Sequence, residues 1–165
     1  MIAKSYIKAT LSELDKLYNN ATSQKKAIYF SKLAVIELCG WIEETLDDII
    51  IKHGNRNLKT VENKNYCLNK IVSSNYGFQY NNNIRPMLIN LLGLIQLEKF
   101  ETELEKNAKI TLLKSNLGNL KRTRNEAAHT HLKGITRRYN APSQTLGDFN
   151  RISALLEVMD NELRK

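Results

Sequence analysis

The 165-residue chain is 42% apolar and 25% charged, and its 25 basic residues outnumber its 17 acidic ones to give a net charge of +8. These values fit one soluble globular domain over residues 1–165 and exclude collagen-like, coiled-coil-only and disordered chains. Two prolines and seven glycines are too few for a turn-rich β-sandwich, and no apolar run approaches the ~18 residues of a membrane span.

The apolar spacing is helical almost throughout. Ile7, Leu11, Leu14 and Tyr18 recur at three- and four-residue steps, which predicts a first amphipathic helix that Asn19-Asn20 breaks. Ser23 is placed to cap a long second helix from about Gln24 to His53. Its apolar stripe includes Ala34, Leu38, Trp41, Ile42, Leu46, Ile49 and Ile50, and Gly54 reads as its C-terminal stop in the left-handed conformation. Residues 55–65 read as a polar connector, Tyr66–Val72 as a short helix, and Ser73–Asn83 as a loop containing Gly77 and three consecutive asparagines. Pro86 suits the first turn of a helix that Gly93 bends or divides, with a continuation ending near Asn107. A fifth segment spans about Thr111–Leu132, followed by a basic loop over residues 133–142. Thr145 and Asp148 have capping-box spacing ahead of a last helix carrying Phe149, Ile152, Leu156, Met159 and Leu163. The expectation is an all-α bundle of five to six helices with one long early helix.

The charge is concentrated. Between Lys106 and Asn140 lie nine basic residues and one acid, Glu126, so this stretch supplies the whole +8 and the rest balances at 16 against 16. Such a segment is the footprint of a phosphate-binding surface; the plainer alternative is a solvated face in a lysine-rich sequence. Cys39 and Cys67 sit in apolar helical contexts and read as buried thiols of a cytoplasmic protein. The N-terminal residues lack an apolar signal-peptide region.

One hexad inside the basic segment carries chemistry: Arg124-Asn125-Glu126-Ala127-Ala128-His129. A guanidinium presents a rigid fork of donors to a phosphate, and an imidazole moves protons near neutral pH. Those are the two groups a metal-free ribonuclease needs. On a helix, five positions separate Arg124 and His129 by about 140° around the axis, so they do not share a face; Asn125 and His129 do. One histidine cannot easily both take and give the protons of the reaction, but two copies facing each other across a two-fold axis can.

The hexad resembles the Arg-x4–6-His signature of HEPN domains, small all-α domains found widely in bacterial toxins and antiviral defence. Leu38-Cys39-Gly40-Trp41-Ile42-Glu43-Glu44-Thr45-Leu46-Asp47-Asp48-Ile49 is similar to the long early helix of the RiboL-PSP and MAE-type HEPN groups, and Ala141-Pro142-Ser143 feeds a final helix in the same manner. The resemblance implies a metal-independent endoribonuclease without cofactors that acts as a homodimer, its paired motifs lining an interface cleft. It implies a toxin or defence effector with RNA as substrate and an antitoxin or defence-operon protein as partner. Arg124 and His129 match the catalytic pair, Asn125 the polar position after the arginine, and Glu43 an acid of the early helix. Some HEPN toxins carry a tyrosine two residues after the histidine, where a partner nucleotidyltransferase modifies them; here that position is His131.

Lys121, Arg122, Arg137 and Arg138 are the expected electrostatic hold on RNA, and Tyr139 is the aromatic placed to stack on an unpaired base. His129-Thr130-His131 is a poor chelate, because alternate residues on a helix point about 200° apart, so no metal site is expected. The acids Glu43, Glu44, Asp47 and Asp48 read as a solvated helix face, with polar support of Arg124 as their alternative use. A non-catalytic helical dimer that binds nucleic acid or a partner protein is the competing functional class.

Overall fold

A computed structural model of the chain describes residues 2–129 and 139–165. Among them the regular structure is entirely helical: α1 Ser5–Asn19, α2 Gln24–Asn57, α3 Val61–Tyr66, α4 Arg85–Glu105, α5 Lys109–His129 and α6 Pro142–Glu162. Two π-helical turns, Cys67–Val72 and Tyr80–Ile84, flank the segment between α3 and α4. Their wider winding shows in hydrogen bonds reaching back five residues, from Ser73 N to the Leu68 carbonyl at 2.9 Å and from Ile84 N to the Gln79 carbonyl at 3.1 Å. The architecture is the expected all-α bundle. No described helix is long and apolar enough to cross a membrane.

The long helix α2 is the axis of the bundle. Its stripe of Ala34, Leu38, Ile42, Leu46 and Ile50 is completely buried, and α1, α5 and α6 pack around it. Each of the large side chains contributes about 1.5–3 kcal/mol through burial. Ser23 caps α2 as predicted, its hydroxyl accepting from Lys26 N at 3.3 Å. Trp41 lies at the α1 and α6 seam: its indole nitrogen donates to the Ala3 carbonyl at 2.9 Å and its ring meets Phe149 edge-on, with centroids 5.1 Å apart.

Three local expectations need correction. Gly54 does not end α2, which continues to Asn57. It is buried inside the helix, where a Cβ would stand 2.8 Å from Cys67 Sγ, so the glycine permits close packing of the π-turn against α2. The connector over residues 55–65 is correspondingly short, because α3 begins at Val61 with the Thr60 hydroxyl accepting from Asn63 N at 3.2 Å. Thr145 does not cap α6. The helix starts three residues earlier with Pro142 in its first turn, where a missing N–H costs nothing; Thr145 is buried and Asp148 instead pairs with Arg151.

At Gly93 the chain does divide. Its φ of 74° and ψ of 161° are non-helical and lie where side chains are rarely tolerated. Sixteen residues along one straight helix would put Arg85 and Glu101 about 24 Å apart. Instead Arg85 Nε donates to Glu101 Oε1 at 3.0 Å, and the Tyr80 hydroxyl donates to the same oxygen at 3.0 Å. The two halves of α4 therefore fold back on each other. Glu101 ties the second π-turn to this hairpin and so fixes the segment that faces α5.

Candidate active site

The hexad occupies the last turns of α5, as its apolar spacing requires. Leu113, Leu117, Leu120 and Ala127 are buried, which turns the neighbouring stripe of Lys114, Gly118, Lys121, Arg124 and Asn125 toward partial exposure. Arg124 is half-buried and opens onto a cleft of about 320 Å³ whose walls include Glu43, Tyr76, Gln79, Asn82 and Lys121. Arg124 Nη1 donates to Asn125 Oδ1 at 3.3 Å, so the residue after the arginine helps to orient it. Lys121 Nζ donates to Gln79 Oε1 at 2.5 Å. Beneath these groups α2 and α5 touch through Cys39, whose thiol donates to the Leu120 carbonyl at 3.7 Å. Burial pushes the Cys39 thiol up to about 12, Arg124 pulls it down, and Glu43 and Asp148 add to the rise. A thiol held neutral in this way is a packing group, not a nucleophile.

Glu43 lines the same cleft as Arg124, but its hydrogen bond goes elsewhere: Oε1 accepts from Gly77 N at 2.6 Å. A carboxylate on a backbone amide is a strong, charge-assisted contact, and here it holds the loop that closes the cleft. Gly77 has φ 114°, a backbone that suits glycine. Asn83 braces the rest: Oδ1 accepts from Gln79 N at 2.9 Å, and Nδ2 donates to Asn75 Oδ1 and to the Tyr76 carbonyl, each at 3.0 Å. The loop is a fixed wall.

His129 is the last residue of α5 and is exposed. It does not line the Arg124 cleft, in keeping with the 140° offset along the helix. Arg122 is exposed and also stands outside the cleft wall. Tyr139 is half-buried, its hydroxyl donating to the Glu126 carbonyl at 3.2 Å and its ring lying under the Lys32 ammonium at 5.9 Å. The aromatic that stands open at the cleft is Tyr76, 85% exposed. Arg137, Arg138 and His131 lie outside the described residues.

The other three acids of the Glu43–Asp48 cluster form a different surface. Glu44, Asp47 and Asp48 line a recess with Tyr6, Trp41 and Lys52, on the side facing the α1 terminus. Burial and then the charges of Glu43, Asp48 and Glu44 raise the Asp47 carboxyl to about 6. Of the four acids, only Glu43 reaches the cleft of Arg124. The opposite wall, formed by Tyr76, Gln79 and Asn82, carries no motif; the only hints in the sequence are Gly77 and the run of asparagines.

No curated protein and no solved structure matched the chain. The profile of the family described as RiboL-PSP-HEPN matches residues 4–160, which takes in the whole of α2, the cleft and the hexad on α5. The chain belongs to the RiboL-PSP-HEPN family.

Proposed function

We propose that the protein is a metal-independent endoribonuclease of the HEPN type that works as a homodimer, as a cytoplasmic toxin or antiviral-defence effector. The observation that carries this reading is the placement of the hexad. Arg124 sits in a cleft with a second cation, Lys121, while His129 stands exposed at the end of the same helix. Arg124 would clamp the scissile phosphate and stabilise the charge that develops on it. His129 of one copy would take the proton of the ribose 2′-OH as the 2′-oxygen attacks phosphorus. The P–O5′ bond breaks as the new P–O2′ bond forms, and His129 of the second copy protonates the leaving 5′-oxygen. The products are a 2′,3′-cyclic phosphate and a 5′-hydroxyl, with no redox change and no water consumed. Lys121 and Arg122, with Arg137 and Arg138, supply the electrostatic hold. Asn125 orients Arg124, and Glu43 fixes the cleft wall.

The test is cleavage of total RNA in excess EDTA by wild type beside His129→Ala, with the fragment ends mapped. Wild-type cleavage leaving 2′,3′-cyclic phosphates, lost in the variant, is the expected result. Undiminished cleavage by the variant overturns the assignment. RNA binding that weakens with salt, without cleavage in either sample, favours a non-catalytic helical binder instead.

A further inference from the structure

The cleft at Arg124 does not end there. A second recess of about 280 Å³, lined by Gln79, Tyr80, Asn81, Asn82, Lys114 and Gly118, continues along α5 and shares Gln79 and Asn82 with the first. One groove therefore runs between α5 and the segment of residues 76–82, extending about 15 Å from Lys114 to Arg124 at 1.5 Å per residue. Its two sides differ in chemistry. The α5 side carries Lys114, Lys121 and Arg124, and among the described residues none of the three makes an ion pair. Lys114 rests over the Tyr80 ring at 5.0 Å and Lys121 on the Gln79 amide oxygen; both are neutral partners that leave the positive charge uncompensated. The opposite side, along residues 79–82, is rich in carboxamides, and the Glu43 carboxylate at the Arg124 end is taken up by Gly77 N. Asn82 Nδ2 donates at 3.0 Å to the same Gln79 oxygen that holds Lys121, and Asn81 and Asn82 are exposed. The floor is Gly118, where a Cβ would meet nothing within 4 Å. Packing does not demand glycine at this helix-interior site, and any longer side chain would stand in the groove.

We propose that this groove is a subsite for single-stranded RNA flanking the cut, in which Lys114 and Lys121 hold successive phosphates and the carboxamides of Asn81 and Asn82 read an adjacent unpaired base. The proposal rests on the reading of Arg124 as the phosphate clamp, and adds to it the path of the strand and the source of base preference. A row of unpaired cations opposite a row of amides matches a polyanion whose bases carry paired donors and acceptors. Carboxamides both donate and accept, and pairing through two hydrogen bonds with the N6–H and N7 of adenine is the standard match for a carboxamide. The strand must be unpaired there, because A-form duplexes hide these edges in a deep, narrow groove. The exposed Tyr76 ring at the Arg124 end offers a stacking face for the base at the cut.

The test uses the full chain carrying His129→Ala, so that substrate survives, and fluorescein-labelled oligoadenylate, oligouridylate and a duplex RNA in polarisation titrations across a salt series. The parent is expected to bind oligoadenylate more tightly than oligouridylate and both more tightly than duplex. Asn81→Ala with Asn82→Ala should level the two single strands, a loss of roughly tenfold or more for adenylate. Lys114→Ala should weaken both equally and lower the salt slope by about one. Gly118→Leu changes no charge and improves helix propensity, so it should lower affinity without lowering Tm. Parental affinity and preference in Gly118→Leu and in the double asparagine variant overturn the proposal. Cleavage by the otherwise wild-type protein that keeps its base preference in those variants also overturns it, while leaving the nuclease assignment intact. Groove-dependent binding in a protein that never cleaves supports the subsite and refutes the nuclease.

Discussion

Gly54→Ala should destabilise the protein although the substitution lies within a helix. Propensity alone favours alanine by about 1 kcal/mol at such a position. Against that stands a contact: the new Cβ would sit 2.8 Å from Cys67 Sγ and 3.6 Å from both Cys67 Cβ and Leu58 Cδ1. Cys67 is 3% exposed and belongs to a π-turn pressed on α2, and its short side chain cannot swing its sulfur away cheaply. Overpacking of this kind costs about 1–3 kcal/mol, so the net change should lie between about 0 and 2 kcal/mol of destabilisation. The decisive experiment is a double-mutant cycle with Cys67→Ala, read by urea denaturation at constant m. Removing the sulfur vacates the space that the new methyl needs. Gly54→Ala should then stabilise the Cys67→Ala background by about 1 kcal/mol, giving a coupling of about 1–3 kcal/mol. A Gly54→Ala variant that is more stable than wild type in the native background refutes the packing argument and restores Gly54 as an ordinary helix position.

Asp47→Asn should stabilise the protein at pH 8 and do little at pH 4. Asp47 titrates at about 6, above its ordinary range, so its stabilising contribution is full below about pH 4 and is lost as pH rises through 6. Solvent screening at this half-exposed site reduces the effect to on the order of 1 kcal/mol; equal changes in Tm at both pH values would contradict it. Glu43→Gln keeps an acceptor for Gly77 N but removes its charge, which should loosen the cleft wall by about 1 kcal/mol and speed amide exchange at Gly77 relative to α2; unchanged exchange would show that Glu43 does not hold the loop. The two glycines Gly40 and Gly93 have room for a methyl group but differ in backbone. Gly40→Ala should raise stability by about 1 kcal/mol, whereas Gly93→Ala, at φ 74° and ψ 161°, should lower it by about 1–3 kcal/mol; thermal melts that move in the same direction would falsify the distinction.

What could be read from the sequence follows from the range of the interactions. The periodic burial of α1, α2, α5 and α6 is repeated every three or four residues, and it survives any detail of packing. The hexad was legible for the same reason, since all six positions lie within two turns of α5. A glycine that ends a helix and a glycine that admits a neighbour look alike in sequence, and at Gly54 only the packing of Cys67 against it tells them apart. Thr145 and Asp148 have capping spacing, but Pro142 starts the helix first. The first π-turn, Cys67–Val72, falls inside the short helix that the sequence predicts over Tyr66–Val72, whereas Tyr80–Ile84 leaves no periodic mark and overlaps the expected loop. The carboxamide wall looks like a plain loop in the sequence because its partners are distant: Gln79 meets Lys121 across 42 residues and Gly77 meets Glu43 across 34.

Glu43 shows how a residue can match a family position while its chemistry depends on contacts the motif does not contain. Expected as an acid near Arg124, it does line that cleft, yet its oxygen is committed to Gly77 N. A carboxylate placed directly on the guanidinium would satisfy Arg124 and weaken its grip on a phosphate. Committed to the loop amide, the same carboxylate fixes the wall and, among the described residues, leaves Arg124 held by the neutral Asn125 amide. The arrangement along α5 is consistent: Lys121 rests on the Gln79 amide and Lys114 on the Tyr80 ring. Three cations are thus positioned by neutral partners, while Glu101 is taken up by Arg85 and Tyr80 and Glu43 by the loop. Neutral partners orient a cation at little cost to its field, so the positive potential that the basic segment carries stays available at the groove for an incoming anion.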